Sequence, residues 1–435
     1  MLKLLRKYSL IKYTAAAILI VVPLYPKFPF LAIPGSQVSL RLEDILVLVA
    51  FIVFLTQSFL NQKNIFRDPV VVAIILYLAV GLLSTISSIF LVQTVKPHVA
   101  LLHWLRRVEY MSMFFVGYAS VRNSKDLHFF VKCIFLVVFF AFLYGVGQKY
   151  FNWPVITTQN EEYAKGIVLR YLPGGHLVST FAGHYDLASY IILTTPVFVA
   201  FFMNSKKSFE NYLTTVIFVF MGTWLLVNAA SRISLVSYLG SVSFSLFLIK
   251  KYKYIPIFIL FVIIFVGFTS RHLVDRYIRI INVVMKDRIT YVSEIRAAGE
   301  KANPTAVPVF EDRSTSIRLN VEWPRAMRAF YKNPILGTGY SSIGLATDND
   351  YLRMIGETGI FGFFTFLLVF FRSVYSLVVK IVFLKDTVGR SFAIGIVSAF
   401  SGILLNMVFI DILEASKFAI SFWLLLGMAV STSRN

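Results

Sequence analysis

The chain has 435 residues, of which 57% are hydrophobic and 43 are Phe, with a mean hydropathy of +0.74. That composition excludes a water-soluble enzyme and predicts an all-α polytopic membrane protein. The formal net charge of +20 falls in loops between apolar runs rather than in folded polar domains, which excludes nucleic acid as a partner and points to membrane lipid headgroups and phosphates.

At about 20 apolar residues per crossing, the chain reads as about twelve spans, at 13–33, 42–60, 69–91, 101–120, 128–150, 184–203, 211–230, 232–249, 254–270, 351–379, 389–410 and 415–432. The first follows MLKLLRKYSLIK without a small-residue cleavage site, so it reads as an uncleaved span, although Pro23, Pro26 and Pro29 interrupt it. The fourth carries Arg106, Arg107 and Glu109. These form either a buried polar cluster or an interfacial group on a span that starts later. Cys133, the single cysteine, lies inside the fifth run, which rules out an intrachain disulfide and a Cys-based metal site.

The basic residues of the short loops alternate in a consistent way: Lys3, Arg6 and Lys7, then Lys63 and Arg67, Arg122 and Lys125, Lys206 and Lys207, Lys250 and Lys251, and finally Lys380 and Lys385. All fall on one side if the spans are counted correctly, so both termini are expected in the cytoplasm of a cell whose inner membrane the chain crosses. The domain plan is then a bundle of nine spans over 1–270, an extracytoplasmic, partly helical segment over 271–350, and three spans over 351–435.

Three outer features stand out on the way. STFAGHYDLA opens the sixth span with His184 and Asp186, which either point into a site or, for Asp186, cap the helix. Arg232 sits in the short turn NAASRISL before the eighth span, where a lone cation often snorkels to the interface. In the long segment, Arg271, Asp275 and Arg279 share a helical face opposite Ile278, Ile281 and Met285, which predicts a membrane-skimming amphipathic helix; AAGEKANPTAVPVFEDRS after it reads as a mobile loop.

The densest polar chemistry lies from Arg313 to Gly362. Arg318, Glu322 and Arg325 recur at helical spacing, with Trp323, Met327 and Phe330 on another side, and Asn333-Pro334 stops that helix. PILGTGY then supplies Gly337 and Gly339 for a tight turn, and ATDNDYL places Asp348, Asn349 and Asp350 directly before an apolar run. Asn349 and Asp348 fit as caps of that run, and ion pairs of Glu322 with Arg318 or Arg325 fit the helix.

These residues resemble the O-antigen ligases and polymerases, bacterial membrane enzymes that move glycans off undecaprenyl diphosphate. The family pattern is an arginine with a tryptophan behind it, P-x-x-G-x-G, a polar pair followed by x-x-L, and E-x-G-x-x-G. Here stand Arg318 and Trp323, Pro334 with Gly337 and Gly339, Asp348-Asn349 with Leu352, and Glu357, Gly359 and Gly362. Ligases usually carry a histidine where this chain has Asp348.

The resemblance implies a glycosyltransferase at the outer face of the membrane. Its donor is an undecaprenyl-diphosphate-linked glycan and its acceptor a hydroxyl on glycan, lipid or protein. Breaking the bond to the phosphate loads charge on a leaving group that guanidinium groups are suited to hold. Arg318 and Arg232 lead for that role, Arg232 because the family has an arginine at the matching span start, with Arg325 and Arg279 behind them. Asp348 stands where the ligase base stands, Asp350 is the alternative base, and Glu357 is expected to orient the loop. No cofactor is implied, and with no H-E-x-x-H, Cys pair or acidic triplet in the sequence, the activity is expected to be metal-independent. The competing readings are a multi-span transporter or flippase of lipid-linked saccharides, and a structural membrane subunit.

Overall fold

A computed structural model of the chain describes residues 10–26, 29–32, 39–61, 65–155, 170–205, 208–269, 317–344, 347–384 and 386–431. The amphipathic helix expected around Arg271 to Met285, with Arg279, and the loop after it lie outside the described residues.

The described residues form thirteen α-helices. In chain order they are α1 (Leu10–Leu24), α2 (Leu42–Asn61), α3 (Pro69–Phe90), α4 (Pro97–Ser120), α5 (Ser124–Tyr150), α6 (His184–Met203), α7 (Phe209–Ala229), α8 (Arg232–Leu248), α9 (Tyr254–Thr269), α10 (Trp323–Lys332), α11 (Asp350–Phe383), α12 (Thr387–Asn406) and α13 (Ser416–Ser431). Each of the twelve expected segments contains one of these helices, the first only as far as Leu24. Six of the helices, α3, α5, α6, α7, α11 and α12, are long and apolar enough to cross a membrane, and α1, α8, α9 and α13 are shorter apolar helices. The chain is a multi-pass membrane protein.

Two departures from the expected spans have local causes. The first helix stops at Leu24, and the proline-rich stretch after it pairs instead as β1 (Pro29–Ala32) and β2 (Ser39–Arg41), an antiparallel two-stranded ladder in an otherwise helical protein. The expected fourth span starts earlier, at Pro97, whose missing N–H suits the first helical turn. Arg106, Arg107 and Glu109 therefore fall mid-helix. Arg106 pairs with Asp44 of α2 at 3.5 Å, and Arg107 pairs with Glu414 and donates to the Leu413 carbonyl, so both arginines are paired within the protein.

The centre of the bundle is α13, every residue of which is buried, with α6 buried from Asp186 to Phe201 beside it. Backbones approach closely where α4 meets α13: a Cβ on Gly117 would lie 2.0 Å from the Leu424 carbonyl oxygen, and one on Gly427 2.0 Å from that of Phe114. Such contact replaces the hydrophobic driving force that lipid surroundings remove. Peripheral helices turn large apolar side chains outward, among them Leu48, Leu83, Ile263 and Phe371. Inside, Ser231, Ser234, Asn406 and Ser189 form a buried hydrogen-bonded chain that ties α8 to α12 and α6.

Candidate active site

The sequence around Arg318 bends before it reaches the site. Pro324 has no N–H for an α-helical ladder, and the turn ahead of it, Arg318–Glu322, is a π-helix closed by the Trp323 amide donating to the Arg318 carbonyl. The turn aims the Arg318 guanidinium at Asp348: Nε and Nη2 both donate to Asp348 Oδ2, at 3.0 and 2.8 Å. Nη2 also lies 3.4 Å from the Tyr185 hydroxyl. The expected ion pair of Arg318 with Glu322 is thus replaced by one with Asp348. The pair is partly open, with 24% of the Asp348 side chain and 12% of the Arg318 side chain exposed. Burial pushes the Asp348 carboxyl up from its ordinary range, and Arg318 draws it only part of the way back. Burial also works against the Arg318 charge, but Asp348 and Tyr185 beside it raise its pKa overall, so it stays cationic.

Asp348 is held out by its neighbours. It has a left-handed backbone (φ 47°), a conformation aspartate tolerates at a cost of about 1 kcal/mol. The reason is Asp411, in the turn between α12 and α13. Its carboxylate accepts the Thr347 amide at 2.7 Å and the Asn349 amide at 2.9 Å, which curls the chain around it and leaves the residue between them facing Arg318. Asp411 also binds Arg353 Nη2 at 2.8 Å, and Arg353 reaches Glu357 at 3.4 Å. Arg353, Asp411, Glu414 and Tyr185 were not singled out from the sequence. The signal that existed was the acidic break in FIDILEASK between two apolar runs.

The other candidates take distinct places. Asn349 caps α11, accepting the Leu352 amide at 2.9 Å. Asp350 is fully buried and accepts the Ile412 amide at 3.0 Å and the Leu413 amide at 3.4 Å, so its oxygens fasten the α12–α13 turn instead of facing Arg318. Glu357 accepts the Ser341 amide at 3.2 Å and so orients the loop. Asp186 accepts the Phe418 amide at 3.1 Å, capping α13 rather than its own helix. His184 is sandwiched between His176 (ring centroids 4.2 Å apart) and Tyr185 (4.0 Å), an aromatic stack that leads to Arg318. Arg325 is half-buried on α10, near enough to lower the pKa of Glu322. Arg232 opens α8, capped by Ser231, and is linked to this end of α12 by the chain through Ser234 and Asn406. No described contact joins Arg232 to Arg318 or Asp348.

The two glycine motifs interlock. The expected tenth span is not one continuous helix: α11 breaks at Gly359, where φ is 65° and ψ −167°. The carbonyls released there are taken up by the PILGTG turn. The Gly339 amide donates to the Glu357 carbonyl at 2.8 Å and the Thr338 amide to that of Gly356 at 3.1 Å; in return the Ile360 amide donates to the Pro334 carbonyl at 2.8 Å. A Cβ on Gly337 would lie 2.4 Å from the Glu357 carbonyl, and one on Gly359 2.4 Å from that of Ile335. Irregular backbone inside a membrane protein persists where protein groups satisfy it in this way.

Residues 216–367 match the sequence model of the O-antigen ligase family. Over that stretch the sequence is similar to the O-antigen ligase family. The match takes in Arg232, Arg318, the glycine turn and Asp348, and ends before Asp411. A search of curated proteins gives no match. Among the described residues no group of three or more His, Cys, Asp or Glu is arranged to hold a metal ion.

Proposed function

We propose that the protein is a membrane glycosyltransferase of the O-antigen ligase or polymerase type. It takes a glycan from an undecaprenyl-diphosphate carrier and joins it to a hydroxyl at the outer face of the cytoplasmic membrane. The observation that carries this reading is the partly open Arg318–Asp348 pair inside the stretch that matches the O-antigen ligase family.

In the proposed reaction the diphosphate lies on the Arg318 guanidinium, with Arg232 as the second cation. The acceptor hydroxyl attacks the anomeric carbon, its proton passes to Asp348, and the bond to the phosphate oxygen breaks. The electron pair leaves on the diphosphate, where a fixed guanidinium stabilises it. Asp348 serves as the base because Asp350 is occupied by backbone amides, and burial raises the Asp348 carboxyl above the ordinary aspartate range, which strengthens it as a proton acceptor. Positively charged loops support cytoplasmic termini and an outer site. Because arginine supplies the positive charge, transfer is expected to persist in chelator; loss restored by magnesium overturns that part.

The test is product analysis by mass spectrometry after reconstituting the purified protein with lipid-linked glycan from its host. A ladder of products indicates polymerisation and a single transfer ligation. Arg318→Ala and Asp348→Asn are expected to lower turnover by about 100-fold or more. Unchanged donor with folded protein overturns the reading, and the same vesicles then test flipping.

A further inference from the structure

Where α2 runs against α4, with the Phe54 and Phe115 rings 5.8 Å apart along the seam, charged groups gather on elements that carry neither Arg318 nor Asp348. Arg106 Nη1 lies 3.5 Å from Asp44 Oδ1, and Arg41 Nη1 lies 3.6 Å from Glu43 Oε1. The Arg41 amide donates to Asp44 Oδ2 at 2.8 Å, and the Ser416 hydroxyl of α13 donates to Glu43 Oε1 at 2.8 Å. Arg106 also donates to the Tyr110 hydroxyl, and His103 stands one turn before it on α4. The third carboxyl, Glu109, meets Asp44 side chain to side chain at hydrogen-bonding range.

Two ionised carboxylates offer each other only acceptors. Accordingly Asp44 Oδ1 and Glu109 Oε1 are both buried and receive no hydrogen bond from the described chain, although the Asp44 side chain is only 10% exposed. Buried polar atoms are almost always satisfied, so the missing element is a hydrogen between them. Charge gives the same answer. Arg41 and Arg106 balance two of the carboxylates Glu43, Asp44 and Glu109, and one proton balances the third, which spares a charge the cost of standing uncompensated among apolar helices. We infer that Asp44 and Glu109 form a one-proton site, a carboxyl–carboxylate pair that an apolar carbodiimide modifies from the lipid. Leu48, one turn from Asp44, and Leu105, one turn from Glu109, are exposed, so a lipid-dissolved reagent arrives beside the pair. The reaction needs the acid form. The carboxylic proton passes to a carbodiimide nitrogen, the carboxyl oxygen bonds to the central carbon, and the O-acylisourea rearranges to an N-acylurea, so the whole reagent is added and nothing leaves. The site is independent of the transferase reading.

The experiment treats the full-length protein in lipid nanodiscs with N,N′-dicyclohexylcarbodiimide and locates the adduct by peptide mass spectrometry. In the wild type the label is expected on Asp44 or Glu109. Glu109→Gln and Asp44→Asn then decide, because either leaves two carboxyls facing two arginines and nothing to hold the proton. Labelling of the partner that remains is expected to fall about tenfold or more. A remaining partner labelled at the wild-type level overturns the shared proton, as does protection by sodium ions at fixed pH, which marks a cation site instead. If the wild type takes no label, infrared spectroscopy reads the carboxylic C=O band without any reagent. A band component missing from both variants supports the site, and spectra identical to the wild type overturn it. Thermal unfolding separates a misfolded variant, and the other then suffices, since each reports on the opposite carboxyl.

Discussion

At Asp348 the local electrostatics make a signed prediction. The carboxyl must be ionised to take a proton, and burial raises its pKa above the ordinary aspartate value. Transfer should therefore rise with pH through a limb that lies above the range of a free aspartate and be lost as pH falls through it. A pH profile of kcat/KM checks this, and any residual activity of Asp348→Asn should lack the limb. Asp411 gives a second prediction, because it holds the amides on both sides of Asp348 and pairs with Arg353. Asp411→Ala is expected to lower kcat by about 100-fold while lipid-linked donor still binds, since Arg318 is untouched. Loss of donor binding, measured directly, would count against a positioning role. Asp348 could be chosen from the sequence because it stood in a motif. Asp411 could not, because its partners lie far away along the chain and nothing in a short acidic break announces which amides it will meet.

At the scale of elements, the break in α11 is the part of the site the sequence hid. The stretch after Asp350 reads as one apolar run, and hydrophobic periodicity carries no record of a single backbone reversal at Gly359. The glycines themselves were legible, yet their purpose emerges only when the PILGTG turn lies against Glu357 and Gly359. The same blindness affected the end of the first expected span, where apolar composition promised helix to residue 33 and Pro29–Ala32 instead pairs with Ser39–Arg41. By contrast, the helical segments were nearly all legible, since long apolar runs bounded by charges leave a membrane chain few choices. The break predicts its own fragility. Gly359→Ala forces a side chain into a backbone conformation costing about 1–3 kcal/mol and against the Ile335 carbonyl, so its unfolding midpoint in detergent should drop sharply. Ser84→Ala, which removes only the hydroxyl bonded to the Glu357 carbonyl at 2.9 Å, should cost about 1 kcal/mol. Equal midpoints for the two variants would contradict the interlock.

For the whole molecule, the telling contact is Lys417. Its fully buried ammonium donates to the carbonyls of Pro23, Tyr25 and Thr180, at 3.1, 2.8 and 2.6 Å, joining the end of the first helix and the loop before α6 to the last helix. Lys417→Met leaves those carbonyls without this donor and should destabilise the bundle by on the order of 3 kcal/mol, read as a lower unfolding midpoint with Arg318 and Asp348 unaltered. The site is distributed in the same way: Tyr185, Arg318, Asp348 and Asp411 come from four separate stretches of chain, and Asp411 is the last of them. A nascent chain halted between Asp348 and Asp411 already possesses its guanidinium and its would-be base but has no anchor to curl the loop between them. On the proposed reading, chains cut short of Asp411 are therefore inert, and a lipid-linked glycan meets working chemistry only once the chain has been made past that turn.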